Sequence, residues 1–142
     1  MLIEQILKSK GGAVQTIDAA STLSQAARML DDAKIGAVVA MSGATLAGVL
    51  SERDILRQVA RHGPEALTMS VEDSMTRGVI TANPSETIDQ CLGRMTDRRI
   101  RHLPVIRDSE LAGIISIGDL VKWKIQATKA EADAMADYIK GQ

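Results

Sequence analysis

The sequence predicts an α/β protein built from two β-α-β-β-α repeats, and three observations carry that prediction. The second half of the chain repeats the first: moved by 65 positions, residues 14–58 lie on 79–123 without a gap. Eleven of the 45 pairs are identical: Val14/Val79, Thr16/Thr81, Thr22/Thr87, Gln25/Gln90, Asp32/Asp97, Ile35/Ile100, Leu46/Leu111, Ala47/Ala112, Gly48/Gly113, Ser51/Ser116 and Asp54/Asp119. Chance alone would give roughly three. Each copy also shows the same alternation of short apolar runs with 3.6-residue periodicity. Finally, the identities bunch into one motif, present as Leu46-Ala-Gly-Val-Leu-Ser-Glu-Arg-Asp54 and as Leu111-Ala-Gly-Ile-Ile-Ser-Ile-Gly-Asp119.

Leu2, Ile3, Ile6 and Leu7 recur at helical spacing, so the chain opens with a short amphipathic helix that ends near Gly11-Gly12. A short extended piece follows in each copy, over 14–17 and 79–82. In the second copy Asn83 reads as an N-cap, with Pro84 at the first helical position and Glu86 at the third. Ile88, Cys91, Leu92 and Met95 then form one helical face, matched by Leu23, Ala26, Ala27 and Leu30 in the first copy. Two strands come next, over 37–41 with 45–50 and over 103–106 with 110–115, joined by Ser42-Gly43-Ala44 and Arg107-Asp108-Ser109. A second helix closes each copy, over about 51–61 and 116–126. His62-Gly63-Pro64 breaks the chain, Ser70 to Thr76 reads as a turn of helix, and a terminal helix runs from about Lys124 to Lys140. Its apolar stripe of Ile125, Met135 and Ile139, with Thr128, suits packing on the body or on a partner. These signals divide the chain into 1–63 (N-terminal helix and first repeat), a linker over 64–77, the second repeat over 78–126 and a C-terminal helix over 127–142.

Composition narrows the function. Each repeat is near the size at which a lone unit buries too little surface, so the two are expected to pack together. The apolar fraction is 45% with no Phe, one Trp and one Tyr, so stacking platforms for single-stranded nucleic acid are missing. A net charge of −1 gives no general attraction to nucleic acid or to an anionic membrane. One cysteine excludes an internal disulfide and a Cys-rich zinc site. No apolar run reaches the ~18 residues of a membrane span. The N-terminus also lacks the pattern of a signal peptide, so a cytoplasmic protein is expected.

The doubled Ser-x-x-Asp after an apolar strand has two readings. It is the pattern of a capping box, in which Ser and Asp each satisfy one unpaired N–H of a helix start. The same helix end offers N–H groups and positive dipole to a phosphate, the Ser hydroxyl adds a donor, and the Asp can accept from a ribose diol. Occurrence in both copies favours a nucleoside-phosphate site.

The β-α-β-β-α repeat, the Gly-(apolar)₂-Ser-x-x-Asp after its last strand and Arg99-Ile-Arg-His-Leu-Pro-Val105 together resemble a tandem cystathionine β-synthase (CBS) domain pair. The resemblance covers residues 14–126 and suits a stand-alone CBS protein. It implies a disc with pseudo-two-fold symmetry and two clefts that bind adenosine derivatives such as AMP, ADP, ATP, NAD or S-adenosylmethionine. By that resemblance Asp54 and Asp119 would hold ribose hydroxyls, and Ser51 and Ser116 would face phosphate, with Arg53 beside the first motif. Thr16-Ile17 and Thr81-Ala82 would flank the base, and Gly36-Ala37 and Arg101-His102 would form the other wall. The resemblance also implies a homodimer, and a regulatory role toward another protein rather than catalysis.

The copies are not equivalent. Arg53 becomes Gly118, and Gly36-Ala37 becomes Arg101-His102, while Arg94, Arg98, Arg99, Arg101 and Arg107 gather in the second copy. For Arg94, Arg98 and Arg107 a solvated surface explains the charge equally well. Arg99, Arg101 and His102 sit where phosphate binding is the better reading, so the second motif is expected to be the stronger anion site. Neither His62 nor His102 has the neighbours of a metal site, and Cys91 falls on an apolar helix face as a small hydrophobe. Two rivals remain: an interaction module whose boxes only cap helices, and a nucleic-acid binder that uses the arginines.

Overall fold

A computed structural model of the chain describes residues 1–11 and 14–141. Its elements in chain order are α1 (Ile3–Lys10), β1 (Thr16–Asp18), α2 (Leu23–Ala33), β2 (Ala37–Ser42), β3 (Thr45–Ser51), α3 (Glu52–His62), a 3₁₀ helix (Gly63–Thr68), α4 (Val71–Ser74), α5 (Ile88–Arg98), β4 (His102–Arg107), β5 (Glu110–Ser116) and α6 (Ile117–Lys140). The predicted α/β repeats are present. They form two compact units, one running from β1 to Ile80 and the other joining α1 to the chain from Thr81 onward.

In the first unit β1 pairs parallel with β2, and β2 antiparallel with β3. Ile17, Leu23, Ala26, Leu30, Val38, Leu50 and Val71 are buried together between this sheet and its helices. In the other unit β4 and β5 pair in the same antiparallel register, and Ala82 makes a single parallel bridge to Val105 where the first unit has a three-residue strand. Two prolines explain the loss. Ala19 donates its N–H to the Met41 carbonyl, but Pro84 stands in the matching position and has no N–H. Pro104, matching Val39, likewise cannot extend the ladder toward Ile80.

Both β-hairpins carry the same irregularity: the register shifts between Ala40 and Met41 and between Val105 and Ile106, leaving Ala47 and Ala112 as the extra residues. A bulge at matched positions accounts for part of the Leu-Ala-Gly identity.

The glycine of that motif meets a helix from outside the repeat's own β-α-β-β-α stretch. A Cβ on Gly113 would lie 2.6 Å from Leu7 Cδ2 of α1, and a Cβ on Gly48 would lie 2.6 Å from both Met75 Sδ and the Thr76 carbonyl oxygen, just after α4. The two helices are equivalent under a second offset, of 68 positions. Ile3 N–H donates to the Glu86 carbonyl and Glu4 N–H to that of Pro84, while Val71 N–H donates to Ser21 and Glu72 N–H to Ala19. Ile3 and Val71 are both fully buried. Chain order groups α1 with the first repeat over 1–63 and treats 64–77 as a linker; the packing sets α1 against the second repeat and closes the first with α4.

Two local expectations are corrected. Asn83 and Glu86 form a closed turn, with Glu86 Oε1 accepting the Asn83 N–H at 2.8 Å, and not a helix start. The helix begins at the Thr87–Gln90 capping box, the counterpart of Thr22–Gln25. The closing helix of the second repeat and the terminal helix are one continuous 24-residue α6, since no Gly or Pro follows Gly118 of its first turn until Gly141 at its end. Gly11 caps α1 as expected; Gly12 and Gln142 lie outside the described residues.

The glycine contacts differ in what can yield. Gly48→Ala drives a methyl into a backbone carbonyl and should cost about 2–3 kcal/mol, whereas Gly113→Ala meets the end of a flexible leucine and should cost ~1 kcal/mol or less. Urea unfolding of the two variants checks the order; equal losses would show that α1 docks as rigidly as the α4 segment.

Candidate functional site

Both Ser-x-x-Asp motifs are complete capping boxes. In the first, Asp54 Oδ2 accepts the Ser51 N–H at 2.9 Å and Ser51 Oγ accepts the Asp54 N–H at 3.3 Å. In the second the corresponding bonds at Ser116 and Asp119 are 2.9 and 3.1 Å. The next N–H of each helix is also taken, Glu52 donating to the Gly36 carbonyl at 2.9 Å and Ile117 to that of Arg101 at 2.8 Å. Among the described residues this leaves one N–H at each helix start without a protein partner, that of Arg53 and that of Gly118. The helix end therefore offers a phosphate far fewer donors than the motif alone suggests.

The strand register assembles each site. Ala37 lies opposite Ser51 and His102 opposite Ser116, so Gly36, Ala37, Ser51, Arg53 and Asp54 meet at one end of the first sheet, and Arg101, His102, Ser116 and Asp119 at the same end of the other. Thr16 and Ile17 are not part of this cluster. They pair with Val39 and Ala40 one strand away, and the Ile17 side chain is in the core. Ala82 is buried in the same way, while Thr81 is exposed and gives its carbonyl to Arg94 at 3.1 Å. Arg99 is exposed as the left-handed C-cap of α5, at φ 55°, where Lys34 at φ 56° caps α2. A cation suits that end of a helix dipole whatever else it does.

The two aspartates differ in surroundings. The Asp54 side chain is only 9% exposed, and its Oδ1 takes Arg57 Nη1 at 3.1 Å. Asp119 is 25% exposed, and its Oδ2 takes Lys10 Nζ of α1 at 2.8 Å. Lys10 Nζ also donates to the Ile114 carbonyl at 3.0 Å. Burial pushes the Asp119 carboxyl upward, but the Lys10 ion pair and the Ser116 donors outweigh it and hold it below the usual value of 3.8. Lys10 stands 109 residues from Asp119 and outside the repeat alignment, so no motif announces it.

Arg94 is a structural residue. It grips both carboxylate oxygens of Glu86, one through Nη1 at 3.0 Å and the other through Nη2, and so fastens α5 to the turn before it. The first repeat has Met29 and Ser21 in these places. Cys91 is fully buried, and burial pushes its thiol up. Among the described residues no group of three or more His, Cys, Asp or Glu could hold a metal ion, and no helix is long and apolar enough to cross a membrane.

The CBS domain family matches the chain twice, over residues 10–61 and 71–125. The chain belongs to that family and carries two CBS domains. The mitochondrial CBS domain-containing protein CBSX3 of Arabidopsis thaliana is 33% identical over 98% of this chain and 72% of its own length. The crystal structure of the CBS-domain containing protein ATU1752 from Agrobacterium tumefaciens has a TM-score of 0.84 at 38% identity, covering 87% of this chain and 99% of that one. Among more distant neighbours, the CBS domain pair of protein MJ0100 is in complex with 5′-methylthioadenosine and S-adenosyl-L-methionine (TM-score 0.77, 25% identity, 87% and 98% covered). A CBS domain protein from Pyrobaculum aerophilum, complexed with AMP, shares the fold (TM-score 0.74, 24% identity, 84% and 89% covered).

The Arg94 grip lowers the Glu86 pKa below its usual 4.5, ahead of the opposing effect of burial. A carboxyl depressed on folding contributes stability above its unfolded pKa, and that contribution is lost as pH falls through the folded value. Acid unfolding followed by circular dichroism should therefore steepen below about pH 4.5 in the wild type and be flatter there in Glu86→Gln. Parallel curves would show that the pair adds nothing to the folded state.

Proposed function

We propose that the chain is a regulatory module that binds adenosine-containing nucleotides, AMP, ADP, ATP or NAD, at its Ser-x-x-Asp helix ends and catalyses no reaction. The observation that carries this is the Asp119 carboxylate. It is held ionised, with Oδ2 carrying both the Ser116 N–H and the Lys10 ammonium, while Oδ1 has no backbone or cation partner among the described residues. A ribose diol needs such a preoriented, deprotonated acceptor. The adenosine ligands of the MJ0100 and Pyrobaculum proteins support the same ligand class here.

Ligand binding that favours one conformation shifts the population toward it, by no more than the difference in affinity for the two states. A thermal-shift series with AMP, ADP, ATP, NAD, S-adenosylmethionine and GMP tests the reading. A ligand at one hundred times its Kd should add about 2.7 kcal/mol, and Asp119→Asn should remove the shift. A second reading is favoured by the filled caps themselves, since three of the polar groups at each helix start are already satisfied within the protein. On that reading the motifs only hold the fold, and the Asp variants are less stable while no adenosine compound shifts either protein.

The regulatory role calls for a surface that transmits the change. Val121 (44% exposed) and Ile125 (63%) stand one turn apart on α6. We place a second copy of the chain on this helix. Sedimentation equilibrium should give a dimer for the wild type and a monomer for the Val121→Glu, Ile125→Glu double variant; a monomeric wild type would remove this part of the proposal.

A further inference from the structure

From the contacts of Lys10 we infer that this residue, supplied by α1, sets the ligand preference of the second site in favour of phosphorylated over uncharged adenosine compounds. The inference rests on the nucleotide-binding reading and specifies it. An ammonium has three N–H donors. Two of those of Lys10 are committed, to Asp119 Oδ2 at 2.8 Å and to the Ile114 carbonyl at 3.0 Å, which fixes the nitrogen in place and leaves one donor over. The side chain is 40% exposed, so that donor is within reach of a ligand. A carboxylate repels a phosphate brought close to it, and the Lys10 charge cancels that repulsion where the diol would be held.

Two features beside it fit the same ligand. A Cβ on Gly118 would meet only Ser116 Oγ, at 3.6 Å, and its backbone N–H has no protein partner among the described residues, at the position where the first repeat carries Arg53. Arg101, whose carbonyl is bonded to the start of α6, is exposed and forms no ion pair among the described residues. The first repeat solves the charge problem differently. Gly78 matches Lys10 under the 68-position offset, and Asp54 is paired instead with Arg57, three residues along its own helix. The discrimination conferred by Lys10 is thus confined to the second site.

The test titrates AMP and adenosine, which share base and diol and differ in the phosphate, into ¹⁵N-labelled full chain. The Gly118 amide resonance is followed because it reports the second site alone. Wild type should prefer AMP. Lys10→Met, which keeps the length of the side chain, should weaken AMP by about tenfold, the loss of one charge-assisted hydrogen bond, and should hold adenosine as well as before or better. Lys8→Met removes the same charge from an exposed position on the same helix and should change neither affinity. An equal loss of AMP and adenosine in Lys10→Met, or no change in either, overturns the assignment and leaves Lys10 as a prop for Asp119 or a bystander. If wild type binds neither compound, the nucleotide-binding reading fails and the inference fails with it.

Discussion

Each repeat is closed by a helix that lies outside its own β-α-β-β-α stretch, and most of the architecture follows from that closure. The docking surface is a glycine on the last strand, Gly48 for the α4 segment and Gly113 for α1, and a side chain at either place would collide with what docks there. The backbone bonds that seat the helix repeat atom for atom, Ile3 and Glu4 on Glu86 and Pro84 as Val71 and Glu72 on Ser21 and Ala19. The consequence for the chain is unequal. The first unit is contiguous in sequence, while the second joins two segments that the whole of the first separates along the chain, a loop closure whose entropic cost grows only with the logarithm of loop length. That slow growth makes the arrangement affordable.

The doubled motif thus has two halves with separate physical reasons. Leu-Ala-Gly keeps the bulge and the docking glycine; Ser-x-x-Asp closes the start of the next helix. Both reasons are structural, so identity between the copies is not in itself a sign of ligand binding. What separates a cap from a site is what the cap leaves over. At Asp54 both carboxylate oxygens are engaged and the side chain is buried, while at Asp119 one oxygen remains and the group is nearly three times as exposed. A ligand reading therefore applies more strongly to the second repeat.

The sequence made the strands, the hairpins and the repeat legible because each depends on neighbours a few residues apart: apolar alternation, a turn and a capping pair. The start of α5 was legible too, since Thr22/Thr87 and Gln25/Gln90 are among the identities, but Asn83-Pro84-Ser-Glu86 imitates the same pattern four residues earlier. The imitation has its own function as a turn clamped by Arg94. The role of α1 was not legible. Its equivalence to α4 follows a different offset and preserves backbone bonds more than residue types, Glu4 and Glu72 being the one identity across residues 2–7. Lys10 was hidden for the same reason: its importance comes from where α1 docks, and nothing in its local sequence encodes that.

The same reasoning explains why the two motifs diverge in charge while agreeing in geometry. A buried or half-buried carboxylate at a helix start needs a cation near it, or its desolvation goes uncompensated. Arg57 can serve Asp54 from within the motif's own helix, but then the cation is tied to the far oxygen and both carboxylate oxygens are engaged. A cation arriving from another helix, as Lys10 does, can approach the oxygen that the cap already holds and leave the other one open. Closure by an external helix is therefore what permits Asp119 to be neutralised and accessible at once. Any change that loosens α1 from Gly113 acts on the carboxylate as well as on the core, which couples the packing of the N-terminal helix to the chemistry of the second site.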